Sequence, residues 1–249
     1  MIPNRSLGGS YYFFKGFRLI IQPGVRLFVI IPLLINTLLF SILIYFGWIF
    51  FQDLVNYVQH WLPSWLTWLH WLLWPLFIIS AFIIVPFAFS WAANLLGSPF
   101  NGLLSEAVER HLTGKPTETD LANKSWYLLI GEGIRGELGK LLHYFFWMII
   151  LFLISFIPVI NIISPILWFV FGAWLLSSEY LEAPLSNHGY LPAIQRRMLA
   201  KKLLLTLEFG SVALLITMIP IVNFIAMPVG VAGATALWID RFAVPHSED

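Results

Sequence analysis

The stretch Ile157-Pro158-Val159-Ile160-Asn161 interrupts one apolar block of this chain, and Ile219-Pro220-Ile221-Val222-Asn223 interrupts the next with nearly the same word. The offset between the two blocks is 61 residues, measured from Gly172 to Gly233. In each block a Gly-Ala pair is followed by an acid and a proline at equal distances: Gly172-Ala173, Glu179 and Pro184, then Gly233-Ala234, Asp240 and Pro245. A repeat of this kind predicts a duplicated helical hairpin.

The tips of both predicted hairpins, residues 156–165 and 218–228, are apolar apart from Asn161, Ser164 and Asn223. Turns that emerge into water usually carry Gly, Asp, Asn, Ser or charge. We therefore expect the tips to stay buried, where freed backbone groups must be satisfied by protein or by a water-filled cavity. The alternative is that both helices of each hairpin cross the membrane completely, because such hairpins would place the basic loops on the same side of the membrane as partly inserted ones.

Composition places the chain among integral membrane proteins, because 59% of its 249 residues are hydrophobic, 11% are charged and the mean hydropathy is +0.82. No charge-rich segment remains for a separate aqueous domain, which predicts one membrane domain over residues 1–249. Cysteine is absent, so disulfides, thiolate catalysis and Cys metal sites are excluded.

Two long spanning helices are predicted before the repeat. Leu27 to Gln52 holds 26 uncharged residues, which is about 39 Å of helix and enough to cross a hydrocarbon core of roughly 30 Å. Another 52 residues without Lys, Arg, Asp or Glu separate Asp53 from Glu106, and tryptophans crowd their first part. We expect an interfacial segment there, followed by a second crossing from Leu66 to Leu96 that ends at Gly97.

Amphipathic helices are expected at the membrane interfaces. One covers Ser10–Ile21, with aromatic side chains opposed to basic ones, and another starts at Ser98-Pro99 and ends at Gly114. The predicted fold is an all-α integral membrane protein with two long transmembrane helices, two pseudo-repeated, partly penetrating hairpins and interfacial helices. In chain order, its segments are an interfacial N-terminal helix (1–24), two spanning helices (25–97), cytoplasmic amphipathic helices (98–140), the first hairpin (141–184), and a basic helix with the second hairpin (192–245).

The basic residues test this topology. All 14 Lys and Arg lie outside Leu27–Ser105. With two crossings and two hairpins that return to their starting face, every basic loop falls on one side, and the positive-inside rule makes that side cytoplasmic. We therefore expect cytoplasmic termini. The same pattern fits four or six ordinary crossings, because it does not measure how deep the hairpins reach.

Several stretches resemble the CysZ family of bacterial inner-membrane sulfate permeases. They are residues 11–16 (Tyr-Tyr-Phe-Phe-Lys-Gly), residues 22–36 from Gln22 to Asn36, residues 98–106 (Ser-Pro-Phe-Asn-Gly-Leu-Leu-Ser-Glu), and both hairpin words with their Gly-Ala continuations. The resemblance implies a multi-pass protein of the bacterial inner membrane and a homo-oligomer in the lipid bilayer. It also implies uptake of sulfate, with sulfite as a competing anion, for assimilation into cysteine.

A sulfate dianion with four acceptor oxygens is best held by converging backbone N–H groups at a helix start, backed by arginine. Gly24-Val25-Arg26 follows Pro23 at the start of the first spanning helix and offers this chemistry. The alternative is that Arg26 is only a positive-inside anchor. The family resemblance favours Gly24, Val25 and Arg26 as the sulfate site.

Candidates for a permeation pathway come from three places in the sequence. Arg110 can attract the anion while Glu106 holds or releases it, although an ordinary i,i+4 helix pair is the alternative for these two residues. The hairpin-tip asparagines either line the route or satisfy broken backbone, and the acids that follow each Gly-Ala pair act as gates or mark the membrane boundary. The full set is Asn101, Glu106, Arg110, Asn161, Asn223, Glu179 and Asp240.

Catalytic signatures are absent from the sequence. It has no Gly-x-Ser-x-Gly, no His-Glu-x-x-His and no Gly-x4-Gly-Lys-Ser/Thr word, and the six histidines show no metal-ligand spacing. We expect no enzyme activity, no metal, no cofactor and no nucleic-acid partner. A membrane scaffold or assembly factor that moves no solute is the rival to a transporter.

Overall fold

The structure, a computed structural model, describes residues 7–61, 70–115 and 126–243, and over these ranges it contains helices and no strand. The all-α prediction is confirmed. The α-helices are α1 (Gly9–Leu19), α2 (Leu27–Trp61), α3 (His70–Thr113), α4 (Trp126–Ile154), α5 (Ser164–Asn187), α6 (Pro192–Lys201), α7 (Leu203–Thr217) and α8 (Pro220–Leu237), with a short 3-10 helix (Ile160–Ile163) before α5 and a π turn (Trp238–Phe242) after α8.

Within the described residues, three helical stretches are long and apolar enough to cross a membrane: Leu27–Tyr57, Ile160–Asn187 and Val222–Phe242. They differ in burial. In the most apolar 18 residues of Leu27–Tyr57 no residue is buried inside the protein, whereas 61% of the most apolar 18 residues of Val222–Phe242 are buried. The chain is therefore a membrane protein, as its composition predicts. Its first long helix presents apolar side chains on all sides, and its last is a packed core helix.

Internal packing divides the chain into two compact units, one of Met1–Val29 with Asn101–Asp249 and the other of Ile30–Phe100. In the first unit α1 packs on α7 and α8, and α5 packs on α7. Glycines permit these contacts. A Cβ on Gly16 would lie 2.1 Å from the carbonyl oxygen of Val229, and one on Gly210 would lie 1.8 Å from that of Ala173.

Helix α1 occupies the place of the predicted N-terminal helix, and two of its five aromatic residues are covered by protein. Tyr12 and Phe13 are completely buried in the first unit, while Tyr11 and Phe14 remain about half exposed. The sequence gives aromatic residues on both sides of α1, and the close approach of Gly16 to α8 decides which side is covered.

The second unit contains most of α2 and the first part of α3, which meet through Phe51, a residue only 4% exposed, stacked on Phe77 at 3.7 Å between ring centroids. The prediction that a helix ends at Gly97 and another starts at Ser98 is wrong, since α3 runs without interruption to Thr113. Proline removes one helical hydrogen bond, but a helix can continue through it where neighbouring helices, side chains or a local adjustment satisfy the freed backbone group. Most of the predicted tryptophan-rich segment lies outside the described residues.

Both Ile-Pro words fall at helix breaks. Helix α4 ends at Ile154, Val159 adopts a positive φ of 73°, and a 3-10 turn leads into α5. The second break is shorter than the predicted tip of residues 218–228, because α8 already begins at Pro220 and continues through Pro228. Proline fits the first turn of a helix because that position needs no N–H donor.

Candidate functional site

The Gly24-Val25-Arg26 segment forms the turn between α1 and α2. Gly24 has φ = +88°, a left-handed conformation that favours glycine, and a Cβ at this position would meet nothing within 4 Å. The glycine is therefore used for its backbone conformation in the turn between α1 and α2, and the space beside it is open.

The backbone donors of this turn are partly engaged. The N–H groups of Val25 and Arg26 both donate to the carbonyl of Gln22, each at 3.1 Å. Within the described part of the chain, the N–H groups of Gly24 and Leu27 donate to no acceptor. Two backbone donors, one in the turn and one at the first residue of α2, thus remain available, although they are not the pair that the sequence singles out.

The side chains of the turn point to different environments. Val25 is completely buried in the core of the first unit, whereas Arg26 is exposed. Among the described residues, the Arg26 guanidinium has no hydrogen-bond or ion-pair partner. The buried Val25 side chain holds the turn in place, and the neighbouring Arg26 guanidinium can therefore bind an anion.

Glu106 and Arg110 lie one helical turn apart on α3, partly buried and exposed respectively. The expected ion pair between them is not formed. Glu109 instead faces His188, whose Nε2 lies 3.1 Å from each of its carboxylate oxygens. Asn101 lies inside α3 rather than at a helix start, because the helix begins at His70.

Asn161 and Asn223 occupy equivalent places in the two Ile-Pro words. Each backbone N–H donates to the carbonyl of the isoleucine four residues earlier, Ile157 at 3.0 Å and Ile219 at 2.9 Å. Both side chains are exposed, and neither forms a side-chain hydrogen bond within the described residues. The side-chain amides therefore do not cap the broken backbone, which removes the structural alternative considered for them.

The two acids that follow the Gly-Ala pairs differ in surroundings. Glu179 is exposed on α5. Asp240 lies in the π turn, where its carboxylate is 3.5 Å from the Lys15 ammonium of α1. Burial, and then the Asp240 charge, raises the pKa of the nearby Tyr12 phenol.

No side-chain hydrogen bond or ion pair joins any two of the ten predicted site residues, all of which the structure describes. The same described ranges contain no cluster of His, Asp and Glu that can hold a metal ion.

A polar group between α4, α5 and α6 was missed by the sequence reasoning. Lys140 of α4 donates to Glu182 of α5 at 2.6 Å, and the buried hydroxyls of Tyr144 and Ser178 lie one helical turn along the same two helices. The sequence signal for this group is spacing. Lys140 and Tyr144 stand four residues apart in one apolar helix, and Ser178 and Glu182 stand four apart in the next.

Comparison with known proteins gives consistent matches. A sequence model of the family described as sulfate transporter CysZ/etoposide-induced protein 2.4 matches residues 12–228. A protein of Pectobacterium atrosepticum named sulfate transporter CysZ is 40% identical over 237 residues, which is 94% of this chain and 85% of that protein. Proteins of the same name from two strains of Pseudomonas aeruginosa are 36% identical over 234 residues, 94% of this chain and 95% of theirs. These relatives are named as transporters, in agreement with the expectation that the chain is not an enzyme. The chain therefore belongs to the sulfate transporter CysZ/etoposide-induced protein 2.4 family.

Proposed function

We propose that the protein takes up sulfate across the bacterial inner membrane and supplies it for assimilation into cysteine. The observation that carries this proposal is the match to relatives named sulfate transporter CysZ over 94% of the chain. Long apolar helices and an exposed, uncommitted arginine at the start of α2 fit such a role.

The first anion contact in this proposal is the turn at Gly24, Val25 and Arg26. The Arg26 guanidinium supplies charge and the open N–H groups of Gly24 and Leu27 supply backbone donors. Val25 holds the turn to the core and contributes no contact of its own, since its side chain is buried and its N–H already donates to Gln22. Together these groups offer the charge-assisted and backbone hydrogen bonds that a tetrahedral dianion accepts.

The anion then follows a polar route near the two hairpins, which we propose to be repeated units that penetrate the bilayer only partly. The exposed amides of Asn161 and Asn223 are uncommitted in the structure and suit such a route. Residues 1–249 form a single membrane domain in this proposal, with cytoplasmic termini, a homo-oligomeric assembly in lipid, and sulfite as a competing anion. The other pathway residues are Asn101, Glu106, Arg110, Glu179 and Asp240.

The membrane potential opposes this uptake. A dianion that moves inward against an inside-negative potential meets about 4.6 kcal/mol per 100 mV, twice the cost for a single charge. Net uptake therefore requires coupling to protons or consumption of sulfate inside the cell.

The decisive experiment is sulfate flux into liposomes that contain only this protein. We expect uptake of labelled sulfate above that of empty vesicles, with competition by sulfite. Uptake equal to that of empty vesicles would contradict the transporter proposal and favour a scaffold role.

Arg26→Ala tests the binding contact within that proposal. Loss of hydrogen bonds to a charged group costs about 1.5–3 kcal/mol, so sulfate affinity should fall about 10- to 100-fold in calorimetry. Arg197→Ala is the matched control, because Arg197 is also exposed and carries the same charge on α6. Equal affinities of the two variants would place the sulfate site elsewhere.

A further inference from the structure

Helices α4 and α5 form an antiparallel pair with polar contacts at both ends. Lys140 donates to Glu182 at 2.6 Å near one end, and the hydroxyls of Ser155 and Ser164 lie 2.5 Å apart at the other. One turn from the Lys140–Glu182 bridge, each helix carries a hydroxyl, Tyr144 on α4 and Ser178 on α5. Helix α6 contacts both helices and adds Arg196.

Three polar atoms in this group are buried and lack a well-formed hydrogen bond: Tyr144 Oη, Ser178 Oγ and Arg196 Nη1, although the Tyr144 and Ser178 hydroxyls lie close enough to interact with each other. A buried polar atom without a partner costs about 1–3 kcal/mol, and more when the group is charged. The residues Tyr144 and Arg196 are themselves only half-buried, so the group lies next to the protein surface.

The chemistry of the three groups defines what they can bind. Arginine only donates hydrogen bonds, and both hydroxyls can donate. The charges of Lys140, Arg196 and Glu182 all act on the Tyr144 hydroxyl, which also interacts with Ser178. Because Lys140 is already bonded to Glu182, the uncommitted positive charge belongs to Arg196. A ligand that satisfies these donors needs several acceptor oxygens and negative charge.

We propose that Arg196, Tyr144 and Ser178 form a second anion site, selective for a tetrahedral oxyanion, at the junction of α4, α5 and α6. The Lys140–Glu182 bridge beside it fixes the two helices and keeps the site from carrying the full charge of two cations. The site takes either free sulfate or the phosphate of an anionic lipid headgroup, which present the same acceptor oxygens. Only the assignment of sulfate as a ligand rests on the proposed transport function.

Calorimetry with sulfate on delipidated, detergent-solubilised protein tests the free-anion source. The expected wild-type result is two sulfates per chain, one lost in Arg26→Ala and the other lost in Arg196→Gln. Arg197→Gln is the matched control, since it removes the neighbouring exposed charge and should retain both. Loss of flux in liposomes with the Arg196-dependent site intact would refute the transport proposal and leave this one standing.

Native mass spectrometry with phosphatidylglycerol tests the lipid source. If the site holds lipid phosphate, wild type and Arg197→Gln retain one lipid per chain and Arg196→Gln retains none. The double variant Tyr144→Phe/Ser178→Ala keeps the arginine and should weaken whichever anion binds by about tenfold, since it removes two neutral hydrogen bonds. Its melting temperature, compared with wild type, separates lost binding from lost folding. The proposal is overturned if Arg196→Gln matches Arg197→Gln in both sulfate stoichiometry and lipid retention.

Discussion

Gly210→Ala is the substitution that the structure predicts to be most damaging to the packing of the first unit. A Cβ on Gly210 would lie 1.8 Å from the Ala173 carbonyl oxygen, 2.6 Å from the Ala173 carbonyl carbon and 2.3 Å from Ser177 Oγ. Two of these three atoms belong to the backbone of α5 and cannot rotate away. Ordinary contact begins at about 3.4 Å, so α5 and α7 must separate by more than 1 Å.

Two opposing terms set the magnitude. Alanine is favoured over glycine inside a helix by about 1 kcal/mol. Overpacking of a well-packed core typically costs 1–3 kcal/mol and occasionally more. A clash with backbone belongs at the upper end, and separation of the helices also strains the buried hydrogen bond from Ser177 to the Thr206 carbonyl. We expect a net loss of about 3 kcal/mol, which is a melting temperature lower by about 6–12 °C for a chain of this size.

Gly139→Ala and Gly172→Ala supply a graded control for thermal unfolding in detergent. Gly139 lies on α4 with nothing within 4 Å of an added Cβ, so its replacement should be neutral or slightly stabilising. At Gly172 the added Cβ would lie 3.2 Å from a terminal carbon of Leu214, a flexible side chain, so a small loss is expected. A melting temperature for Gly210→Ala within 2 °C of that of Gly139→Ala would refute the close approach of α5 to α7.

Substitutions at Glu109 and Glu106 separate stability from transport. Glu109→Ala should lower the melting temperature by about 2–8 °C, because it removes the partly buried contact with His188 and costs about 1–2 kcal/mol. Glu106→Ala on the same helix should leave the melting temperature unchanged and reduce sulfate flux. A lower melting temperature for Glu106→Ala, with reduced flux only for Glu109→Ala, would contradict both assignments. Ser177→Ala should cost about 1 kcal/mol in thermal unfolding through loss of a fully buried hydrogen bond, whereas Ser41→Ala, which removes an exposed bond within α2, should not change the melting temperature.

The sequence predicted several helix boundaries, because prolines and glycines mark them. The start at Pro192, the end at Gly114 with φ = +71° and the breaks at both Ile-Pro words all follow from local backbone chemistry. The end predicted at Gly97 is wrong, because a single Gly-Ser-Pro sequence does not by itself end a helix. The helix continues where neighbouring groups or a local adjustment satisfy the backbone that proline frees.

The candidate site was less predictable, because side-chain partners depend on which helix faces which. The sequence placed Glu106 with Arg110 by spacing alone, whereas in the structure the side-chain contact is made by Glu109, whose partner His188 is 79 residues away. Likewise, the sequence identified the turn at Gly24 by its residue types but not which N–H groups remain open. Spacing along one helix predicts neighbours within that helix, and contacts between distant segments follow only from packing.

The 61-residue repeat also bears on the proposed second anion site. If both hairpins descend from one duplicated unit, Lys201 corresponds to Lys140, while Leu205 and Ile239 stand where the first copy has Tyr144 and Ser178. Leu205 is buried in the core of the first unit, so the hairpin architecture accommodates an apolar pair at these positions. The hydroxyls are therefore not a requirement of the fold. Because an apolar pair would also avoid the cost of poorly satisfied buried hydroxyls, their presence in one copy alone favours a role in binding. Replacement of Tyr144 and Ser178 by Leu and Ile should raise stability and weaken binding of the Arg196-dependent anion by about tenfold.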